Sequence, residues 1–170
     1  MKIRAWLRTS IQVCTVMSCG DLCCQFLEFK FDKNKKNLNF LQDQLWDRER
    51  TKRMSIVGFF VQGPWAHGNY QMAEYFFPGT SNKAVLCKVL LGRAIAPIGI
   101  CLTFSTVIFL KGLTLQDAII KIKRDMPTTW ATGALYWPFV RALNFKYIPL
   151  HNRPLVGSIF GSFWSVWMSY

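Results

Sequence analysis

Acidic residues are scarce in this chain. Asp and Glu account for only nine of 170 residues, and charged residues of both signs make up 18%, below the roughly one quarter usual for soluble domains. Histidine is scarcer still: His67 and His151 stand far apart. No histidine–carboxylate set lies at a spacing suited to acid–base or metal chemistry. No GxSxG, HExxH or Gly-rich phosphate loop is present either. We therefore expect no enzyme activity, no cofactor and no metal. Cysteine occurs six times but never as paired CxxC motifs, which argues against structural zinc. All six fall within or beside apolar runs, where a reduced thiol packs as a small hydrophobe. The adjacent pair Cys23–Cys24 is the redox candidate.

What the chain does hold is apolar and basic. Hydrophobic residues make up 51% and aromatics 15%, and the net charge is +12. A basic balance suits nucleic acid or anionic lipid. Repeated uncharged runs of membrane length favour lipid and argue against nucleic acid. The expected partners are the bilayer and, at the basic loops, its anionic headgroups. Lys2, Arg4 and Arg8 precede the first apolar run in the manner of a signal sequence. That run is too long and lacks a small-x-small cleavage site, so it reads as a retained first span. The same acid-free, positive start suits mitochondrial targeting.

A bilayer core of about 30 Å needs roughly 20 helical residues. Thr9–Leu27 carries one charge, Asp21, and small residues Ser10, Cys14 and Ser18 recur four apart, a smooth strip for close helix contact. Residues 29–53 are polar and hold eight basic residues, with a short surface helix predicted from Leu41 to Arg53. Met54–Ala73 has no charged residue, and Gly63-Pro64 predicts a kink. Phe77-Pro78-Gly79-Thr80 reads as a turn. Ala94–Leu110 is uncharged and extends back through Arg93. Leu115, Ala118, Ile119 and Ile122 lie on one helical face, and Thr114 with Asp117 fits a capping box. An amphipathic interfacial helix is predicted over 114–124. A short membrane-associated helix over 127–145 follows, then the uncharged run Pro154–Tyr170, with Gly157, Gly161 and Ser165 four apart.

The predicted fold is an all-α membrane bundle of about four transmembrane helices, one integral membrane domain over 1–170. The spans fall near 7–28, 54–76, 89–110 and 154–170. Four spans put both termini on one side and the loops 29–53 and 111–153 on the other, fifteen basic residues against five. The two long loops are then expected to face the cytoplasm-equivalent side.

The last forty residues carry Trp137-Pro138, Asn144-Phe145, Ile148-Pro149, Arg153, Trp164 and Ser169. In order and spacing this block resembles the C-terminal signature of the Mpv-seventeen / twenty-two-kilodalton peroxisomal membrane protein family. Upstream, Gly20-Asp21 with Gln25, Asp47 with Arg50-Thr51 and Arg53, Gly63-Pro64 with His67, and Lys123 with Asp125 are similar to the same family. One departure is that Gly68-Asn69 precede Tyr70, where the family often has an aromatic pair. The resemblance implies a four-span protein of the mitochondrial inner membrane or, alternatively, the peroxisomal membrane. It also implies links to small-solute channel activity, mitochondrial DNA maintenance and oxidative-stress handling.

Asp21 is the sharpest single residue, because an ionisable group inside a span is expensive and faces a bundle interior or water. With Gln25, Gln62 and Arg93 it forms the candidate pore or gate, and Arg93 is one candidate partner for its charge. Gln25, Gln62 and Asn69 also suit ordinary interhelical hydrogen bonds. Trp137 with Tyr136 suits the interfacial aromatic belt. Pro138, Pro149 and Pro154 suit turns, Asn144 a cap or bridge, and Arg153 a headgroup or the end of another helix. For Phe145 and Trp164, as for the rest of the signature, folding and anchoring are the expected roles. The functional expectation is a weakly selective gated channel for small solutes or metabolites. The alternative is a non-conducting scaffold whose small-residue faces serve a homo-oligomer.

Overall fold

A computed structural model describes residues 2–31 and 46–168. Lys33, Lys35, Lys36, the predicted helix start at Leu41 and the signature residue Ser169 lie outside the described residues, as does the side chain of Ser165. Every element among the described residues is a helix. They are α1 (Lys2–Phe31), α2 (Arg48–Val57), a π turn (Gly58–Gln62), α3 (Gly63–Phe76), α4 (Asn82–Leu110), α5 (Leu115–Tyr147) and α6 (Arg153–Met168). Two of these, α1 over Arg4–Phe31 and α4, are long and apolar enough to cross a membrane.

Local chemistry sets the ends. Asp47 caps α2 by accepting from the Arg50 amide at 2.8 Å, so the helix begins at Arg48. Ser81 caps α4 in the same way through Ala84. Where the sequence predicts a kink, the helix carries a π turn, Gly58–Gln62. Pro64 offers no amide proton, and the turn before it widens until the Gly63 amide bonds Gly58 O, five residues back. The turn after α3 closes at Gly79, whose φ of +88° suits glycine.

The stretch 114–145 differs from the sequence reading. The capping box forms, with the Thr114 amide and hydroxyl donating to Asp117 Oδ2 at 2.8 and 2.7 Å. The helix then continues without a break through Pro127 and Pro138 to Tyr147. The charges that suggested a boundary satisfy one another on its surface: Lys121 and Arg124 both bond Asp125 at 2.6 Å. Hydrogen bonds from Thr114 hold the Asp117 carboxyl below its usual range, and those from Arg124 and then Lys121 do the same for Asp125. Both carboxylates thus support the start of α5 near neutral pH, and that support is lost as pH falls through their lowered range.

Neighbouring columns run antiparallel. Thr9 meets His67, Ser18 meets Ser55 and Asp21 meets Arg50, so α1 and α2–α3 run in opposite directions. Glu74 meets Lys88 and Trp65 meets Gly99 between α3 and α4. Asn82 meets Lys146 and Phe104 meets Lys121 between α4 and α5. Asn144 meets Arg153 and Tyr136 meets Phe160 between α5 and α6. The described residues form five columns. The segment 111–153 is not a loop on one side: α5 carries the chain back along the bundle. Lys2 and Met168 therefore lie at opposite ends. Lys146 and Arg153 move away from the basic end, which reduces the charge asymmetry expected from the sequence.

The small-residue strip of α1 does what its spacing predicts. A Cβ on Gly63 would lie 2.5 Å from Ser10 Cα, and one on Gly58 2.9 Å from Cys14 Cα. Ser18 and Ser55 hydroxyls meet at 2.7 Å further along. Gly63→Ala is expected to force α1 away from α3 and cost about 1–3 kcal/mol, the range for overpacking. Gly68→Ala, with nothing within 4 Å of its added carbon, is the matched control. Thermal unfolding in detergent checks this; equal stability of the two variants would contradict the close contact.

Candidate functional site

Two buried polar clusters close the bundle, one toward each end. At the first, Asp21 has a 4% exposed side chain and pairs with Arg50 Nε at 2.7 Å. Its other oxygen accepts from Gln25 Nε2 and Thr51 Oγ1, each at 2.7 Å. Gln25 reaches onward: its side-chain oxygen accepts the Asp47 amide at 2.8 Å. Arg50 also forks onto exposed Glu28 at 2.9 and 3.1 Å. The charge of Asp21 is thus met by Arg50. Arg93 is elsewhere, because α4 and α5 clamp its guanidinium 3.8 Å above the Trp130 ring with a bond to the Trp130 carbonyl.

The second cluster is built on Glu74. Its Oε2 accepts from Lys88 Nζ and Arg153 Nη1, each at 2.6 Å, and its Oε1 accepts the Gly79 amide at 3.1 Å. Lys88 is fully buried and Arg153 nearly so. Arg153 Nε bonds Ile148 O at 2.9 Å, closing the end of α5. Phe145 is fully buried beneath both cations, 5.5 Å from Lys88 and 5.3 Å from Arg153. Asn144 donates to Tyr70 Oη and to Arg153 O, both at 3.0 Å. Sequence reasoning missed Glu74 and counted Lys88 as a loop charge. A signal existed: Glu74 is the only acidic residue between Glu49 and Asp117.

Between the clusters lies a cavity of about 540 Å³, with wall residues from all five columns. Asp21, Gln62 and Arg93 line it together, as the sequence grouped them. Gln25 does not; its bonds hold it between α1 and α2. Gln62 bonds Thr103 across the wall. Cys24 is buried on the wall, Cys23 is exposed, and both are free thiols. Among the described residues no group of three or more His, Cys, Asp or Glu is placed to hold a metal.

Residues 108–169 match the sequence profile of the Mpv17 / PMP22 family. The mitochondrial inner membrane protein Mpv17 of Homo sapiens is 34% identical over 124 residues, 72% of this chain and 70% of that one. The PXMP2/4 family protein 4 of Dictyostelium discoideum is 28% identical over 151 residues, 88% of this chain and 77% of that one. The chain belongs to the Mpv17 / PMP22 family. Protein sym-1 of Neurospora crassa is also similar, at 28% over 127 residues, 73% of this chain and 72% of that one. No solved structure matches the chain significantly.

The signature of the Mpv17 / PMP22 family splits into two parts in space. Asn144, Phe145 and Arg153 belong to the Glu74 cluster, with Pro149 in the turn that joins α5 to α6. Arg153 holds a helix end, as one expectation had it. Trp137, Pro138 and Trp164 line the cavity. One expectation is corrected. Pro138 sits inside α5 and makes no turn. Tyr136 and Trp137 are drawn in toward α6: Tyr136 stacks on Trp164 at 5.1 Å and donates to Phe160 O at 2.9 Å. A partly buried tyrosine hydroxyl gains from such a partner, and the backbone of α6 supplies it.

Removing one partner of a buried ion pair costs about 3–5 kcal/mol. Glu74→Gln leaves two buried cations short of a counter-charge, so a loss of that size is expected. Glu28→Gln removes a half-exposed pair and is expected to cost less than about 1 kcal/mol. Chemical unfolding of both variants in detergent measures the difference; similar losses would deny the Glu74 cluster its central part.

Proposed function

We propose that this protein is a weakly selective, gated channel for small solutes or metabolites in an organelle membrane. The observation that carries the reading is the distribution of polarity across a bundle that holds a central cavity. Buried positions hold Ser10, Asp21, Gln25, Asn69, Lys88, Asn144 and Arg153, whereas large apolar side chains face outward on every column. Phe60 is 67% exposed, Leu135 88%, Phe139 68% and Phe163 65%. Such an inside-out surface suits lipid, with ionisable groups confined to the interior.

The same surface argues for more crossings than two. Exposed apolar residues on α5 and α6 support all five columns lying in the bilayer, the first turns of α5 extending beyond it. At 33 residues α5 is about 50 Å long, well over a bilayer core. This revises the four-span count from the sequence to five. Arg48, Lys52, Lys123 and Arg124 are exposed at one end, placed to meet anionic headgroups. The names of the relatives support the mitochondrial inner membrane, with the peroxisomal membrane as the alternative. No chemical step is assigned; the activity is passage.

The Asp21–Arg50 bridge is the gate in this reading, since both residues line the cavity and join α1 to α2. A second reading, a non-conducting scaffold that forms homo-oligomers, draws on the same site. Asp21 has every oxygen engaged, which also suits a purely structural contact.

Two experiments separate the readings. In reconstituted vesicles, Gly161→Leu is expected to reduce solute flux several-fold by filling the cavity, and Asp21→Asn to raise open probability. No conductance at any potential or redox state would favour the scaffold. For the crossings, single cysteines at Gly112 and Asn152 in a cysteine-free background are expected to label from opposite sides. Labelling from one side would restore four spans.

A further inference from the structure

The charges around the cavity do not balance. Four charged side chains line it: Asp21, Arg50, Arg93 and Arg141. Asp21 is neutralised by Arg50 at 2.7 Å, and its remaining acceptor capacity is taken by Gln25 and Thr51. Neither Arg93 nor Arg141 has a carboxylate partner among the described residues. Arg93 rests on the Trp130 ring, and its Nη1 donates to the Trp130 carbonyl. Arg141 has only a long bond, 3.5 Å, to Asn69 Oδ1. An excess of two positive charges remains along a largely apolar, partly open cavity, where an uncompensated charge is costly.

The position of Arg141 is built rather than incidental. Its guanidinium packs against α4 where residue 92 is glycine, and a Cβ there would collide with Nη1 and Cζ. Gly92 is buried, so the space it leaves is taken by the guanidinium and not by lipid or water. A guanidinium presents a fork of donors matched to carboxylate and phosphate oxygens. The volume falls within the range of small-molecule sites.

We infer that the cavity binds a small oxyanion, a carboxylate or phosphate group, with Arg141 as its principal contact and Arg93 as the second. This rests on the channel reading for the idea that the anion passes through; binding itself stands on the cavity and its charges. The oxyanion could come from a free solute or from a lipid headgroup, and the test separates the two.

Protein purified in neutral detergent is titrated with inorganic phosphate, malonate or short-chain phosphatidic acid at constant ionic strength, and thermal stability is followed. Saturable stabilisation by phosphate or malonate is expected. Arg141→Gln is expected to weaken the apparent affinity about tenfold, the scale of a lost charged hydrogen bond, with Arg141→Lys intermediate. Should Arg141→Gln fail to fold, Arg93→Gln is expected to weaken the same titration by a smaller factor. The inference fails if phosphate and malonate give no saturable shift, or if the variants respond as the parent does. It also fails as a free-solute site if only phosphatidic acid stabilises. A parallel bilayer recording keeps the two proposals apart. Anion preference lost in Arg141→Gln with conductance retained supports both. Saturable binding without conductance removes the channel and leaves the anion site. Conductance without binding does the reverse.

Discussion

One carboxylate holds four helices at a single point. Glu74 closes α3, receives Lys88 from α4 and Arg153 from α6, and both cations sit over Phe145 of α5. Burying Lys88 completely is tolerable only because its ammonium has fixed acceptors, Glu74 and the Gly79 carbonyl. Without that arrangement the turn at 77–81, the end of α5 and the start of α6 would lose their common anchor. The cluster therefore sets where α6 begins, and with it the side from which α6 traverses the bundle.

The opposite end is tied by a different logic. Asp21 faces Arg50, Gln25 and Thr51 within a contact between only α1 and α2. Between the two polar ends, glycine and serine contacts bring α1 against α2–α3 and against α6, as at Gly63 with Ser10 and Gly20 with Ser162. Close approach on that side and bulky tryptophans on the other leave the centre unfilled. The cavity is the space that remains when two rigid ends and a narrow small-residue seam fix the columns. Its charge follows from which arginines find carboxylates among the described residues, because Arg50 and Arg153 do and Arg93 and Arg141 do not.

Much of this was legible in order along the chain. The apolar runs, the strip Ser10–Cys14–Ser18, the irregular turn ahead of Gly63-Pro64 and the box at Thr114–Asp117 depend on neighbours within a few turns of one helix. Local spacing carries such information directly. The signature residues named the Mpv17 / PMP22 family, and the singular acidic residue in the first span marked one polar cluster. Reading failed at Lys123–Pro127, where charge and proline look like a boundary. Lys121 and Arg124 in fact pair with Asp125 along a helix surface, and the count of columns changed with that one segment.

The sequence by itself determined that the chain is helical, apolar outside its loops and a member of its family, because composition and period need no partner to be read. Tertiary structure alone decided which charges meet. Asp21 and Arg50 are 29 positions apart and Glu74 and Arg153 are 79 apart, and nothing local distinguishes Arg50 from Arg93 or Arg153 from Arg141 as a partner. An ion pair is a property of two surfaces brought within about 4 Å. Only the antiparallel packing of five columns selects the pairs, and so leaves two guanidinium groups facing the central cavity.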